Sequence, residues 1–397
     1  MPSPRLATFA VICCMFACVA SEISTSAPSP VAGRKQDPAI RFEPAVIEAD
    51  EEFTWHLSLT LTNPLAVPLI ADSGRVVVEG LGEGETRVAR TNELPLSRLV
   101  KDVGTLGPGT SRTLGWTAPA TIEHGRVSIE IDMHDSSGTS HHLTASAGVE
   151  PGLYSKQHPS DLLVVGGRKV EIVYVAPADS SALPAPGVLL VHGHAHHARQ
   201  MLRRARTLSR AGFAVMLVSQ PGYGFSEGPP DFMGLRTIAA TSAAFDRLAR
   251  SPGVDSTRLG AWGFSRGATV VTLLMTRRGD VRAGVAQAGI FDMWAGYRGT
   301  RFEGIRANMV AEAGPDSSAW RERSAAYSAK ALKGRLLILH GEDDANVPVA
   351  QAKAFYAQLK AIGADVEAEY FSGAEHALPR DQASGRAMEF LRRTLAP

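Results

Sequence analysis

The feature that most constrains this 397-residue chain is a change of hydrophobic rhythm near Pro151. Beyond that point, short apolar runs alternate with longer helical ones. Val170–Val175 and Val188–Val191 precede a helical stretch over Arg199–Arg210, and Ala214–Val218 precedes another from about Gly234 to Arg250. Leu259–Trp262 leads into a helix from Arg266. Val285–Ile290, Leu336–Leu339 and Val366–Tyr370 continue the series, with helices near Ala350–Ile362 and Gln382–Leu395. A short unbroken apolar run suits a strand buried on both faces, and the helices between supply crossovers. The rhythm therefore predicts an α/β domain over 153–397, a mainly parallel sheet with helices on both faces. In such sheets, chemistry collects beyond the carboxyl ends of the strands, where loops meet helix N-termini.

Before Pro151 the period is two. Phe53, Trp55, Leu57, Leu59 and Leu61 alternate with polar neighbours, as do Val127, Ile129, Ile131 and Met133. That is the pattern of half-buried antiparallel strands. Asn63-Pro64, Gly107-Pro108-Gly109 and Ser136-Ser137-Gly138 supply the turns. Residues 39–152 are expected to form an all-β sandwich of immunoglobulin-like type, by architecture only, since the Cys–Trp–Cys signature is absent. His134, His141 and His142 are read as solvated loop histidines.

All three cysteines, Cys13, Cys14 and Cys18, lie in the first eighteen residues. Disulfides, cysteine-ligated metal and a cysteine nucleophile are thereby excluded from the folded body. Arg5 followed by the apolar run Leu6–Ala20 reads as an export signal peptide over 1–20, too short for the ~20 residues that span a bilayer. Met15-Phe16-Ala17-Cys18 stands as an alternative, a lipid-anchor site at Cys18. Residues 21–38, rich in Ser and Pro, are expected as a disordered linker, and the protein as periplasmic or secreted. Lys and Arg together number 41 against 40 Asp and Glu, a balance that argues against a nucleic-acid partner.

The strongest chemical motif is Gly263-Phe264-Ser265-Arg266-Gly267, between the strand at Leu259–Trp262 and the helical run from Ala268. A turn this tight has no room for side chains at its flanks, so both ends are glycine. It presents Ser265 above the sheet at a helix N-terminus, where backbone N–H groups favour negative charge. A serine hydroxyl needs a base, and the base an orienting carboxylate. Two histidines follow Ser265. His340 ends the strand Leu336–Leu339, whereas His376 lies in a loop after the last strand and before the last helix, where a mobile base is expected. The loop after Leu339 offers Glu342, Asp343 and Asp344 as the acid, with Asp292 as a reserve.

Taken together, Gly-x-Ser-x-Gly, His340-Gly341-x-x-Asp344-x-x-Val347-Pro348 and Gly373-Ala374-Glu375-His376 resemble the catalytic domain of prolyl oligopeptidase-like and dienelactone hydrolase-like serine hydrolases of the α/β-hydrolase superfamily. The resemblance spans about 240 residues from Ser155 onward. It implies the chain order serine, acid, histidine. Ser265 then is the nucleophile, Asp344 the orienting acid and His376 the base. It implies an oxyanion hole made by the backbone N–H of Arg266 and backbone near His194, in the loop Val191-His192-Gly193-His194. The loop Gln220–Ser226, with Tyr223, also resembles a hydrolase loop near the pocket. An insertion at about 291–330 is expected as a small cap, with Trp294 and Tyr297 lining the pocket beside Tyr223.

These readings converge on an exported serine hydrolase that cleaves ester or amide bonds of a small ester or peptide, without a cofactor or metal. A peptidase is placed first and a carboxylesterase second. About 110 residues of sandwich are too few for the large β-propeller that many prolyl oligopeptidase relatives carry. Two other readings compete: an inert binding protein, and a zinc hydrolase using His192, His194, His196 and His197. The zinc reading lacks a candidate for the intervening ligand, since the next histidine is His340.

Overall fold

The computed structural model describes residues 21–26, 37–48, 54–80, 88–90, 103–119 and 125–396. The expected signal segment, its three cysteines and Phe53 lie outside the described residues. The chain divides into two units between Gln157 and His158, slightly beyond the expected boundary at 152.

The N-terminal unit is built of β1 (Ser21–Ser26), β2 (Ala39–Phe42), β3 (Val46–Glu48), β4 (Thr54–Asn63), β5 (Leu69–Gly80), β6 (Val88–Arg90), β7 (Thr105–Leu106), β8 (Thr110–Pro119), β9 (Gly125–Asp135) and β10 (Ser140–Glu150). One sheet has the order β1-β8-β4-β2 and the other β3-β10-β9-β5-β6, with β7 paired to β5. Strand β2 pairs antiparallel with β4 while β3, a few residues later, pairs parallel with β10, so the chain changes sheet between Phe42 and Val46. The period of two does what it predicts. Trp55, Leu59 and Leu61 of β4 bury against Val127, Ile129, Ile131 and Met133 of β9 in one apolar core. Two expectations change. Ser21–Ser26, assigned above to a disordered linker, forms an edge strand antiparallel to Ser111–Gly115. An open edge offers a row of backbone partners, and this proline-free segment takes them. His134, His141 and His142 lie on β9 and β10 instead of in loops, each against a carboxylate: Asp72, Asp135 and Asp132.

The C-terminal unit holds one eight-stranded sheet of β11 (Ser160–Val165), β12 (Arg168–Val175), β13 (Ala185–Val191), β14 (Ala214–Val218), β15 (Val254–Phe264), β16 (Ala283–Gln287), β17 (Arg335–Gly341) and β18 (Val366–Phe371). The order is β11-β12-β14-β13-β15-β16-β17-β18. Pairs from β14 onward along this order are parallel, and β12 pairs antiparallel with both β11 and β14. Every residue of β14 and β16 is buried, which is why their sequences are apolar without alternation. Helices α1 (Leu202–Arg210), α2 (Leu235–Ala249), α3 (Arg266–Arg277), α4 (Met293–Gly299), α5 (Glu303–Ala313), α6 (Ser317–Glu322), α7 (Ala350–Ala361) and α8 (Arg380–Thr394) complete the unit. The helical stretch expected from Arg199 begins as a 3-10 turn, Ala198–Met201, before α1. Strand β16 stops at Gln287 instead of Ile290, because Ala288 has a left-handed φ of 56°. Residues 291–330, the expected cap, hold α4, α5 and α6 between β16 and β17.

Candidate active site

Three loops at the carboxyl ends of β15, β17 and β18 bring Ser265, Asp344 and His376 together. Ser265 stands between β15 and α3 with φ 54° and ψ −121°, a conformation rare for a residue with a side chain. Its N–H donates to Gln287 O (2.7 Å) and its carbonyl accepts from Ala268 N (2.9 Å), which hold the turn. The two glycines have a steric reason. A Cβ on Gly263 would sit 2.1 Å from Gly267 O, and one on Gly267 would sit 2.2 Å from Val191 O. Strand and helix approach too closely there for anything larger.

His376 Nε2 lies 3.0 Å from Ser265 Oγ, and its Nδ1 lies 2.7 Å from Asp344 Oδ2. With Nδ1–H donated to the carboxylate, Nε2 has a free lone pair facing the serine hydroxyl. Asp344 is 4 % exposed, whereas its neighbours Glu342 and Asp343 are exposed, so only Asp344 is turned inward. Its Oδ1 accepts from the backbone N–H groups of Asn346 (2.9 Å) and Val347 (2.8 Å). His340 is fully buried; its Nε2 lies 2.8 Å from Val347 O and 3.2 Å from Asp344 Oδ2. Both of those oxygens only accept, so Nε2 of His340 carries the proton. Burial pushes the Asp344 carboxyl up, but the hydrogen bonds from His340 and His376 outweigh it and hold the group at about 2. The acid and histidine loops are joined by backbone bonds, Glu342 N to Phe371 O (3.0 Å) and Asp343 N to Ala374 O (2.9 Å). Asp292, the reserve acid, is instead the N-cap of α4, accepting from Trp294 N and Ala295 N.

The loop after β13 passes beside the nucleophile: a Cβ on Gly193 would come 3.4 Å from Ser265 Cβ. His192 fastens that loop. Its Nδ1–H donates to Gly193 O (2.6 Å) and its Nε2 accepts from Gln220 N (2.9 Å). Burial drives its pKa down, which suits this neutral tautomer. Gln220 Nε2 adds a bond to His192 O (2.6 Å), and His196 Nδ1 lies 2.8 Å from His194 O. Arg266 is the first residue of α3, where backbone N–H groups have no partner within the helix.

Of the three expected pocket residues, Tyr223 is brought to the site, its hydroxyl 3.1 Å from His194 Nδ1 and 2.9 Å from Arg266 Nη1. Trp294 and Tyr297 pack on buried Trp320, with ring centroids 4.4 and 5.2 Å away. Trp320 belongs to the main apolar core of this unit, and Trp294 and Tyr297 are half-buried against it. Two neighbours of the site, Phe264 and Glu312, escaped sequence reading, while His340, set aside above as the base, is a buried hydrogen-bonded residue. Phe264 sets its ring 5.1 Å from His376. His340 reaches Asp344, and Glu312 of α5 pairs with Arg266 at 2.7 Å. Phe264 stood inside the motif, but nothing in the local sequence marks Glu312.

Residues 200–395 match the prolyl oligopeptidase family. Among curated proteins, the uncharacterized peptidase YuxL of Bacillus subtilis is 26% identical over 206 residues, 49% of this chain and 31% of its own length. Protein ABHD12B of Homo sapiens is 33% identical over 181 residues, 43% of this chain and 49% of its own. Among solved structures, a puromycin-hydrolyzing peptidase of Mycobacterium tuberculosis superposes with a TM-score of 0.57 at 19% identity, covering 86% of this chain and 58% of that one. Pyrococcus horikoshii acylaminoacyl peptidase gives 0.52 at 17%, covering 86% and 53%. The chain spans less than two thirds of each of these proteins, and the structural likenesses speak to the fold.

Proposed function

We propose that this chain is a serine hydrolase, and first a serine peptidase, working through an acyl-enzyme on Ser265, in an α/β unit from His158 of which residues 200–395 match the prolyl oligopeptidase family. The observation that carries the reading is the continuous hydrogen-bond chain from Ser265 Oγ through His376 to Asp344. Ser265 Oγ attacks the carbonyl carbon while His376 Nε2 takes its proton. The resulting oxyanion is held by the backbone N–H of Arg266 and of the His194 loop, each donor contributing roughly 2.7–4 kcal/mol. His376 then gives its proton to the leaving group, and the acyl-enzyme forms. A water deprotonated by the same nitrogen attacks the ester, and Ser265 is restored. Asp344 stays ionised throughout, fixing the imidazole tautomer and stabilising the imidazolium.

Peptide amides are placed before esters because the family match and the curated peptidase relative point there. Purified protein is to be assayed on p-nitrophenyl acyl esters and on peptide amides, alongside Ser265→Ala. The reading expects turnover of peptide amides, abolished by the substitution. Turnover of esters alone makes the protein a carboxylesterase, and turnover unaffected by Ser265→Ala rejects the mechanism.

The N-terminal unit is read as immunoglobulin-like. Its support is the early strand pair β2 and β3, which splits between the two sheets, and the neighbouring order β10-β9-β5-β6. Export to the periplasm or medium rests on Arg5 and the apolar run Leu6–Ala20, with Cys18 as an alternative lipid anchor. An intact mass of the protein recovered from its host distinguishes them: loss of about the first 20 residues, or a diacylglyceryl mass on Cys18. An uncut N-terminus contradicts both.

A further inference from the structure

Arg266 follows the nucleophile, and its side chain is buried although it carries a full charge. The guanidinium ties together three segments of the chain. Nη1 donates to Glu312 Oε2 (2.7 Å) and to the Tyr223 hydroxyl (2.9 Å). Nη2 donates to Glu312 Oε1 (3.2 Å) and to His194 Nδ1 (2.8 Å). The Tyr223 hydroxyl lies 3.1 Å from Glu312 Oε1, and Phe232 N–H donates to Oε2 (3.2 Å). Phe232 also covers the guanidinium with its ring, 4.3 Å away, from a backbone held at positive φ together with Met233.

Proton accounting fixes His194. A guanidinium only donates, so His194 Nδ1 is the acceptor and Nε2 carries the hydrogen. Asn308 Nδ2 lies 3.0 Å from that Nε2; two donors cannot bond to each other, so proton accounting reverses the amide and makes its oxygen the acceptor. Asn308 and Glu312 are one turn apart on α5, on one face of that helix. Both ends of the His194 ring are thus held by the cap helix, one end directly and the other through Arg266. A buried ion pair is weak support for stability, because desolvation offsets most of the attraction. What this pair does supply is position. The residues it fixes, 194 and 266, are the two whose backbone faces the oxyanion in the reading above.

We propose that Glu312 is a positioning residue: through Arg266 it holds the His194 loop and the first turn of α3 in register, so docking of α5 is a condition of oxyanion stabilisation. This rests on the serine hydrolase reading. Glu312 acts on the transition state and not on ground-state binding, so its loss lowers kcat and leaves KM nearly alone.

The test replaces the pair by apolar side chains, Arg266→Met with Glu312→Met, which keeps both backbone N–H groups. If the pair only maintained the fold, this variant would behave like wild type, since apolar replacement of buried ion pairs is often neutral or stabilising. The proposal expects an unchanged or higher Tm, kcat on a p-nitrophenyl ester lowered about 10–100-fold, and KM within about threefold. The rate of fluorophosphonate labelling falls in parallel. A folded double variant with wild-type kcat, or with KM raised and kcat kept, overturns it. Should the pair of substitutions prevent folding, Tyr223→Phe carries the test, with an expected loss of about 3–10-fold in kcat and none overturning the proposal. A wild type that itself fails to label rejects the hydrolase reading; a wild type that labels beside an equally reactive variant rejects only the role of Glu312.

Discussion

At Asp344, burial and hydrogen bonding pull in opposite directions. Removal from water favours the protonated acid, but two imidazoles and two backbone N–H groups favour the carboxylate and win. The consequence for pH follows from the direction. Its carboxyl titrates at about 2 in the folded protein and near 3.8 when unfolded, so the stability it contributes is complete above pH about 4 and is lost as pH falls through about 2. Urea unfolding of Asp344→Asn is expected to lose less stability than wild type between those pH values, and an equal loss would contradict the assignment. The same substitution leaves the fold in place but favours the wrong tautomer of His376, lowering kcat about 10³–10⁴-fold in steady-state assays. At this scale the sequence was uneven. Ser265 and His376 stood in loops whose position in the chain reveals their chemistry. Asp344 was separable from Asp343 and Glu342 only through a family resemblance, because adjacent carboxylates look alike until one turns inward. Glu312 had no signal, since its partner lies 46 residues away.

Among the elements, the turn between β15 and α3 governs the site. It sets Ser265 at a left-handed φ and brings strand and helix so close that Gly263 and Gly267 have no room for a methyl group. Gly263→Ala forces its Cβ against Gly267 O, and overpacking of this kind costs about 1–3 kcal/mol. Thermal melting is expected to show that loss, and kcat to fall by more than the stability change explains because Ser265 is displaced. A variant of native Tm and activity would contradict the steric account. The strands of the sheet centre were legible because burial on both faces demands apolar runs. The edge strand β11 was missed although Leu162–Val165 is an apolar run as long as Val188–Val191; with three of its six residues exposed, it lacks the burial on both faces that such a run signals. Likewise the sequence of α4 did not separate packing from a pocket for its aromatic residues, which pack on Trp320 of the unit's main core.

Across the whole molecule, Ser265, His376, Asp344, Arg266, His194, Tyr223 and Glu312 all fall in the unit that begins at His158. Residues 158–397 expressed alone, if folded by circular dichroism, are therefore expected to react with an active-site probe. A folded but unreactive fragment would show that the site needs more than this unit supplies. The boundary itself was visible as a change of period from two to alternating strands and helices, while the edge strand at Ser21–Ser26 was hidden in polar sequence. The near-balanced charge assigned no partner, and the chemistry sits in a neutralised cluster whose one buried arginine is paired. The central claim is the nucleophilic serine, and intact-mass spectrometry after incubation with a fluorophosphonate tests it most directly. The account predicts a single adduct, mapped to the peptide containing Ser265 and absent from Ser265→Ala. A folded wild-type protein that takes up no adduct, or takes it up at another residue, would contradict it.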